Sequence, residues 1–197
     1  MFLRQTSPPA IEPISLAEAK LHLRVDIPDD DALILSLISA AREAAEGECN
    51  RAFITQSWQL VLDSFCDRDA VIDGAIWIDK ATVNSIQSVQ YMDMTGAWQT
   101  MPSTDWVADL VSEPARITPA FGKIWPITMP QIGSVKINFT SGYGATADSV
   151  PYGIKAWMKL QIAALYENRS RVVADSRIVA LELPFADRLL DNYRVDV

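Results

Sequence analysis

The chain has a single histidine, two cysteines, and no run approaching the ~18 apolar residues of a membrane span. Each scarcity excludes something. His22 has no partner or pocket marked out for general-base work, so a surface or half-buried place on a short helix is expected. Cys49 and Cys66 lie outside any C-x-x-C pattern. They are free to pair in the fold, but two thiols fit small buried groups in a reducing compartment better. The stretch from Met1 to Pro9 lacks the apolar core of a secretory signal, so an intracellular protein is expected, and the Asn138-Phe139-Thr140 and Asn168-Arg169-Ser170 sequons carry no weight. Positive charge is also scarce: 17 Lys and Arg face 25 Asp and Glu, for a net charge of -8. That balance argues against a protein that wraps nucleic acid, because neutralising phosphates needs a basic patch.

What is present suits a folded chain. Of 197 residues, 49% are hydrophobic, too many for a disordered segment and enough for one or two domains. A chain of this size buries roughly 70% of its unfolded surface. Charge and residue type divide it in three. Residues 1–56 hold 5 basic and 9 acidic groups, residues 57–147 hold 5 and 9, and residues 148–197 hold 7 and 7. Five of the six Trp and five of the eleven Pro fall in the middle segment.

The first segment reads as two helices. Ser15-Leu16-Ala17-Glu18 is a capping-box pattern, placing a short helix from about Leu16 to Arg24, and Pro28 enforces a break. Behind the acidic Asp29–Asp31 triplet, Leu33, Ile34, Leu37, Ile38, Ala41, Ala45 and Cys49 recur at helical spacing to about Arg51. Arg42, Glu43, Glu46 and Asn50 occupy the other face. The middle segment changes period: Trp58, Leu60 and Leu62 alternate with Gln59, Val61 and Asp63, and Val135, Ile137 and Phe139 alternate with Lys136, Asn138 and Thr140. Shorter strands are expected at 75–78, 85–92, 97–101, 105–110 and 115–118, with Asp93-Met94-Thr95-Gly96 as a hairpin turn. This spacing predicts an antiparallel sandwich or small barrel. The third segment is helical again, from Pro151 through Leu165, and last from Pro184 to Asn192. The first of these helices is apolar most of the way round, so it is either central to a core or covered by another subunit.

Chemistry-bearing constellations are absent from this reading: no catalytic, cofactor-binding or metal-ligating set is expected. The Asp29–Asp31 triplet lacks the alternating ligands, central Gly and distal Glu of a calcium loop, and helix capping accounts for it better. Glu43, Glu46 and Glu48 read as a solvated helix face. Ser141-Gly142-Tyr143-Gly144 lacks the Gly spacing and the Lys of a phosphate loop, and reads as the exit turn of a strand. The Trp residues of the middle segment are expected in its core.

Specific strings then point further. Pro13-Ile14-Ser15-Leu16-Ala17-Glu18-Ala19-Lys20-Leu21-His22-Leu23-Arg24-Val25, the following acids, and Leu37-Ile38-Ser39-Ala40-Ala41-Arg42-Glu43 resemble the opening of phage head–tail connector proteins. Gln56-Ser57-Trp58, Arg116-Ile117-Thr118-Pro119, Trp125-Pro126, Phe139-Thr140-Ser141-Gly142-Tyr143-Gly144, Val150-Pro151, Ile154-Lys155 and Tyr166-Glu167-Asn168-Arg169 continue the likeness in order. The resemblance implies an α+β chain: an α-helical adaptor core from residues 1–56 and 148–197, with an antiparallel β domain, 57–147, inserted between them. It implies a ring of roughly a dozen copies, no enzyme activity and no cofactor. It implies a virion neck protein assembled in the bacterial host cytoplasm, with a portal protein and a tail or stopper protein as partners. Double-stranded DNA would pass through the ring without sequence-specific binding, and no membrane is involved. Portal contacts are then expected at Leu183, Pro184, Leu189, Leu190, Tyr193 and Arg194, and subunit contacts at Trp157, Leu160, Ile162 and Leu165. The competing readings are another neck protein, such as a stopper or tail-completion protein, and a cellular binding module using the Trp-rich β domain. An enzyme is disfavoured by the single histidine.

Overall fold

The structure, a computed structural model, describes residues 1–66, 71–72, 74–168 and 184–195. It is an α+β fold with two hydrophobic clusters, one helical and one between sheets. Helix α1, Leu16–Leu23, starts at a complete capping box: the Glu18 amide donates to Ser15 Oγ at 3.2 Å and the Ser15 amide donates to Glu18 Oε2 at 3.1 Å. It stops where Arg24 turns left-handed, with φ 58°. Helix α2, Asp31–Cys49, follows the break at Pro28, and Lys20 ties the two helices through a 2.6 Å ion pair with Asp31. Helix α3, Tyr152–Glu167, crosses α2, and α4, Pro184–Asp191, closes over α3. Ile34, Ile38, Ala45, Cys49, Ile154, Met158, Ile162 and Leu190 are wholly buried between them. Burying each large aliphatic is worth about 1.5–3 kcal/mol, so this stripe holds the helices together without any single dominant contact.

Among the described residues, nine strands make two antiparallel sheets. The first runs in the order β1 (Phe2–Ser7), β2 (Gln56–Leu62), β9 (Val135–Ser141), β5 (Val83–Met92), β6 (Trp98–Thr100). The second runs β3 (Val71–Ile72), β4 (Ala75–Ile78), β8 (Ala115–Pro119), β7 (Trp106–Asp109). Inward side chains from both sheets share one cluster: Leu60 and Leu62 of β2, Ile76 and Ile78 of β4, Ile117 of β8, and Val135, Ile137 and Phe139 of β9. Two sheets with open edges over one core are a sandwich, not a closed barrel. The register places Leu60 opposite Ile137 and Trp58 opposite Phe139, so the period-2 alternation of both strands lands on the same face. The β5–β6 hairpin turns at Asp93–Gly96, with Gly96 at φ 86°. Asp93 Oδ1 accepts from the Thr95 hydroxyl and from the amides of Thr95 and Ala97. Those bonds, the Thr95 hydroxyl foremost, hold the carboxyl down at about 2.

Four expectations meet differences. The first segment is not helical throughout, because Phe2–Ser7 pairs with β2 as an edge strand. Five of its six residues are exposed, so it carries no core-facing alternation to read. The Trp residues of the β segment border its core rather than fill it: Trp58, Trp106 and Trp125 pack half-buried against the sheet cluster, Trp77 is half-buried and Trp98 is 42% exposed. Three of the five indoles also cover cations, with Lys80 Nζ 5.2 Å above Trp58, Arg116 5.7 Å from Trp77 and Lys136 Nζ 3.8 Å above Trp98. Glu46 and Arg42, expected on a solvated face, are buried (5% and 6% exposed) and paired with each other.

The cysteines are the fourth. Both thiols are free, Cys49 buried and Cys66 exposed. Burial pushes Cys49 up to about 11, so it is almost wholly protonated at neutral pH. We expect a thiol reagent at pH 8 to label one cysteine per native chain, at Cys66, with Cys49 reacting only after denaturation. Equal labelling of both in the native protein would show that α2 does not seal its C-terminal end. Among the described residues, no helix is long and apolar enough to cross a membrane.

Candidate docking surfaces and the junction behind them

Arg51, one residue beyond the left-handed Asn50 that ends α2, joins four parts of the chain. Its Nη1 donates to Glu113 Oε1 at 2.5 Å and to Thr82 Oγ1 at 3.0 Å, and its Nη2 pairs with Glu113 Oε2. Its Nε donates to the carbonyl of Tyr193 at 2.5 Å, and the guanidinium lies 5.8 Å from the Tyr143 ring. A planar fork is the group best able to hold a carboxylate with one edge and a carbonyl with another. Burial raises the Tyr143 hydroxyl to about 12, so it stays neutral beside this cation.

Around Arg51 the backbone closes the join. The Ala52 amide donates to Ala81 O at 3.0 Å, the Gly142 amide to Thr82 O at 3.0 Å, the Tyr143 amide to Phe53 O at 2.9 Å and the Thr55 amide to Gly144 O at 2.9 Å. Just beneath, Glu46 accepts from Arg42 Nη1 at 3.0 Å, from the Phe53 amide at 2.8 Å and from Gln56 Nε2 at 2.7 Å. Lys80 Nζ donates to the Glu46 carbonyl at 3.1 Å, and burial lowers the pKa of this lysine. Arg42 also meets Glu12 at 2.8 Å. Burial works against its charge, but Glu12 and Glu46 outweigh that and its pKa is raised. Helix, sheet and C-terminal segment are therefore locked through buried ionic contacts.

The expected contact residues divide sharply by exposure. Of the portal set, Leu183 lies outside the described residues and Pro184 opens α4. Leu190 is fully buried in the helical cluster, Leu189 and Tyr193 pack against it half-buried, and Arg194 is exposed. Arg194 pairs with Glu48 at 3.2 Å and Asp191 at 3.4 Å, and the Val195 amide donates to Cys49 O at 3.2 Å, so this segment is held on the protomer. Of the subunit set, Ile162 is fully buried and Trp157 is 5% exposed, both inside the protomer's own core. Leu160 is half-buried and Leu165 is 43% exposed. A helix lying between α2 and α4 consumes most of an all-round apolar surface, which is the first of the two uses open to such a helix.

Sequence reasoning passed over two features. Arg51 carries no pattern, because its partners lie far along the chain. The segment between β8 and β9 did carry a signal: Phe121, Ile124, Ile127 and Ile132 are large apolar residues outside any strand, and they are 80–107% exposed. Among the described residues, no group of three or more His, Cys, Asp or Glu side chains is placed to hold a metal.

Comparisons with known proteins relate the chain to connectors and to the necks of phage-like particles. Residues 13–94 match the family model of the phage gp6-like head-tail connector protein, which supports a structural connector role in a phage-like neck. Three solved structures align with all of this chain and 97% of their own. They come from the neck of an empty gene transfer agent particle computed with C6 symmetry (26% identity, TM-score 0.79), the virion of a native gene transfer agent particle (25%, 0.80), and the neck of a native particle computed with C12 symmetry (25%, 0.77). No curated protein sequence matches the chain.

Proposed function

We propose that the protein is a non-enzymatic adaptor of a virion neck, assembled in a bacterial host. About a dozen copies would close a ring beneath a portal protein, join the capsid to a tail or stopper protein, and pass double-stranded DNA without sequence-specific contact. The observation that carries this reading is the end-to-end likeness to chains of necks computed with C6 and C12 symmetry. The acidic balance supports a conduit role, since a net charge of -8 disfavours holding phosphate.

Residues 1–56 and 148–197 would form the adaptor core, with the sandwich of 57–147 added to it. Leu189, Tyr193 and Arg194 are the portal-contact residues with surface to offer, and Leu160 and Leu165 those for a neighbouring subunit. Negative-stain electron microscopy of the protein mixed with its cognate portal tests the proposal. Closed rings capping the portal are expected. A chain that stays monomeric in solution and forms no ring on the portal would overturn it.

A further inference from the structure

Across β1, β2, β9, β5 and β6, the whole five-stranded sheet, there is no Asp or Glu, in a chain that carries 25. The charged residues of these strands are Arg4 and Lys136. Both lie on the outer face, because Leu3, Leu60, Val89 and Ile137 pack into the sheet cluster and alternate residues point the other way. Hydrogen bonds join that outer face into one surface. Arg4 Nη2 donates to Gln59 Oε1 at 2.7 Å, Gln59 Nε2 to Asn138 Oδ1 at 2.8 Å, and Asn138 Nδ2 to Ser88 Oγ at 2.8 Å, a row across four strands. In the next row the Ser85 and Thr140 hydroxyls meet at 2.8 Å. In the row on the other side Lys136 Nζ lies 3.8 Å from the centre of the Trp98 ring, which brings in the fifth strand.

The two cations are free to meet an anion. Among the described residues neither has an ion-pair partner, and no helix packs against the sheet. Asp63 and Asp93, just past the ends of β2 and β5, are engaged by the Gly133 amide at 2.8 Å and by the amides of the 93–97 turn. A stable protein interface is built on apolar anchors, and rows of Ser, Thr, Asn and Gln between two cations offer few. Hydroxyls, amides and cations are the side chains that contact phosphate and sugar oxygens in protein–DNA complexes. Arg4 and Lys136 stand two strands and two residues apart. At about 4.8 Å per strand and 3.4 Å per residue that is about 12 Å between Cα atoms, close to the width of the DNA major groove.

We propose that the outer face of the five-stranded sheet is a sequence-independent contact for the phosphate backbone of duplex DNA. The inference rests on the conduit reading and names the residues that meet the duplex. Two cations per copy on an acidic protein steer the duplex without holding it, and a closed ring repeats the contact around its axis. The test is binding of short fluorescent duplexes of two unrelated sequences to the full chain assembled on its cognate portal, with portal alone subtracted, read by anisotropy across a salt series. Both duplexes should bind equally, and affinity should fall steeply with salt. R4Q/K136Q should bind about tenfold more weakly, with a salt slope shallower by about two or more, while R4K/K136R should bind normally. R116Q/K123Q makes the same change in net charge away from this sheet and should also bind normally.

A second measurement needs no variant: in unsubstituted rings, duplex DNA should protect Lys136 from acylation and leave Lys123 reactive, as read by mass spectrometry. Equal losses in the two glutamine pairs, an unprotected Lys136, or rings that bind no DNA at low salt would overturn the contact and leave the ring reading standing. Rings of R4Q/K136Q that bind DNA normally but lose a stopper or tail protein would assign the face to that protein, which also overturns it. No ring from the unsubstituted chain would remove the ring reading itself, and the contact with it.

Discussion

Replacing Gly142 with alanine is expected to cost about 4 kcal/mol or more of unfolding free energy, a large share of the 5–15 kcal/mol that about defines a domain's stability. Gly142 follows β9 with φ 145°, a conformation other residues adopt only at about 1–3 kcal/mol. A Cβ there would sit 2.6 Å from the Thr55 amide nitrogen and 2.7 Å from the Ile54 carbonyl carbon. Those are backbone atoms in the strip where helical and sheet segments join, and they have no rotamer through which to yield. The Gly142 amide also donates to Thr82 at this point, so relief by backbone movement would break the join.

Urea denaturation followed by circular dichroism measures the effect. Gly47→Ala is the control: nothing lies within 4 Å of its added Cβ and it sits inside α2, so a gain of about 0.5–1 kcal/mol is expected. A G142A loss below 1 kcal/mol would mean the strip is pliable.

Glu46→Ala should be nearly as severe, at about 3–5 kcal/mol, the usual cost of breaking a buried ion pair by deleting one partner. Three donors converge on the carboxylate, and alanine would strand the Phe53 amide and Gln56 Nε2 inside the protein. Arg42 would keep Glu12, which limits the loss on that side. Glu46→Gln should fall between, because it preserves the volume but turns an amide NH2 toward donors. The same denaturation measurement decides the matter. Equal stability of the alanine and unsubstituted chains would show that solvent reaches the network. Since Arg51 is anchored within the same join, E46A should also weaken the hold on the C-terminal segment, readable as faster proteolysis beyond Asn168.

Most elements were legible because their causes are local. The capping box at Ser15–Glu18, the break at Pro28 and the spacing of Ile34, Ile38, Ala41 and Ala45 each act within a few residues. The same holds for the alternation of β2 and β9 and for the turn at Asp93–Gly96. Strand β1 escaped because an edge strand facing water has no pattern to show. The portal and subunit sets were legible only as composition. An apolar residue such as Ile162 looks the same whether a neighbouring helix or a neighbouring copy covers it.

Composition, capping and periodicity by themselves determine an acidic α+β chain in which helical segments flank a strand-rich middle. The folded structure alone decided which charges are buried and which apolar groups stay out. Arg51 reaches Glu113 across 62 positions and Tyr193 across 142, and no local pattern encodes partners so distant. Likewise, Ile124 and Ile127 stay exposed on either side of Trp125, which is stacked on Phe65, a contact that only the packed sheets create. Short-range physics writes the elements, while burial is a property of what lies opposite.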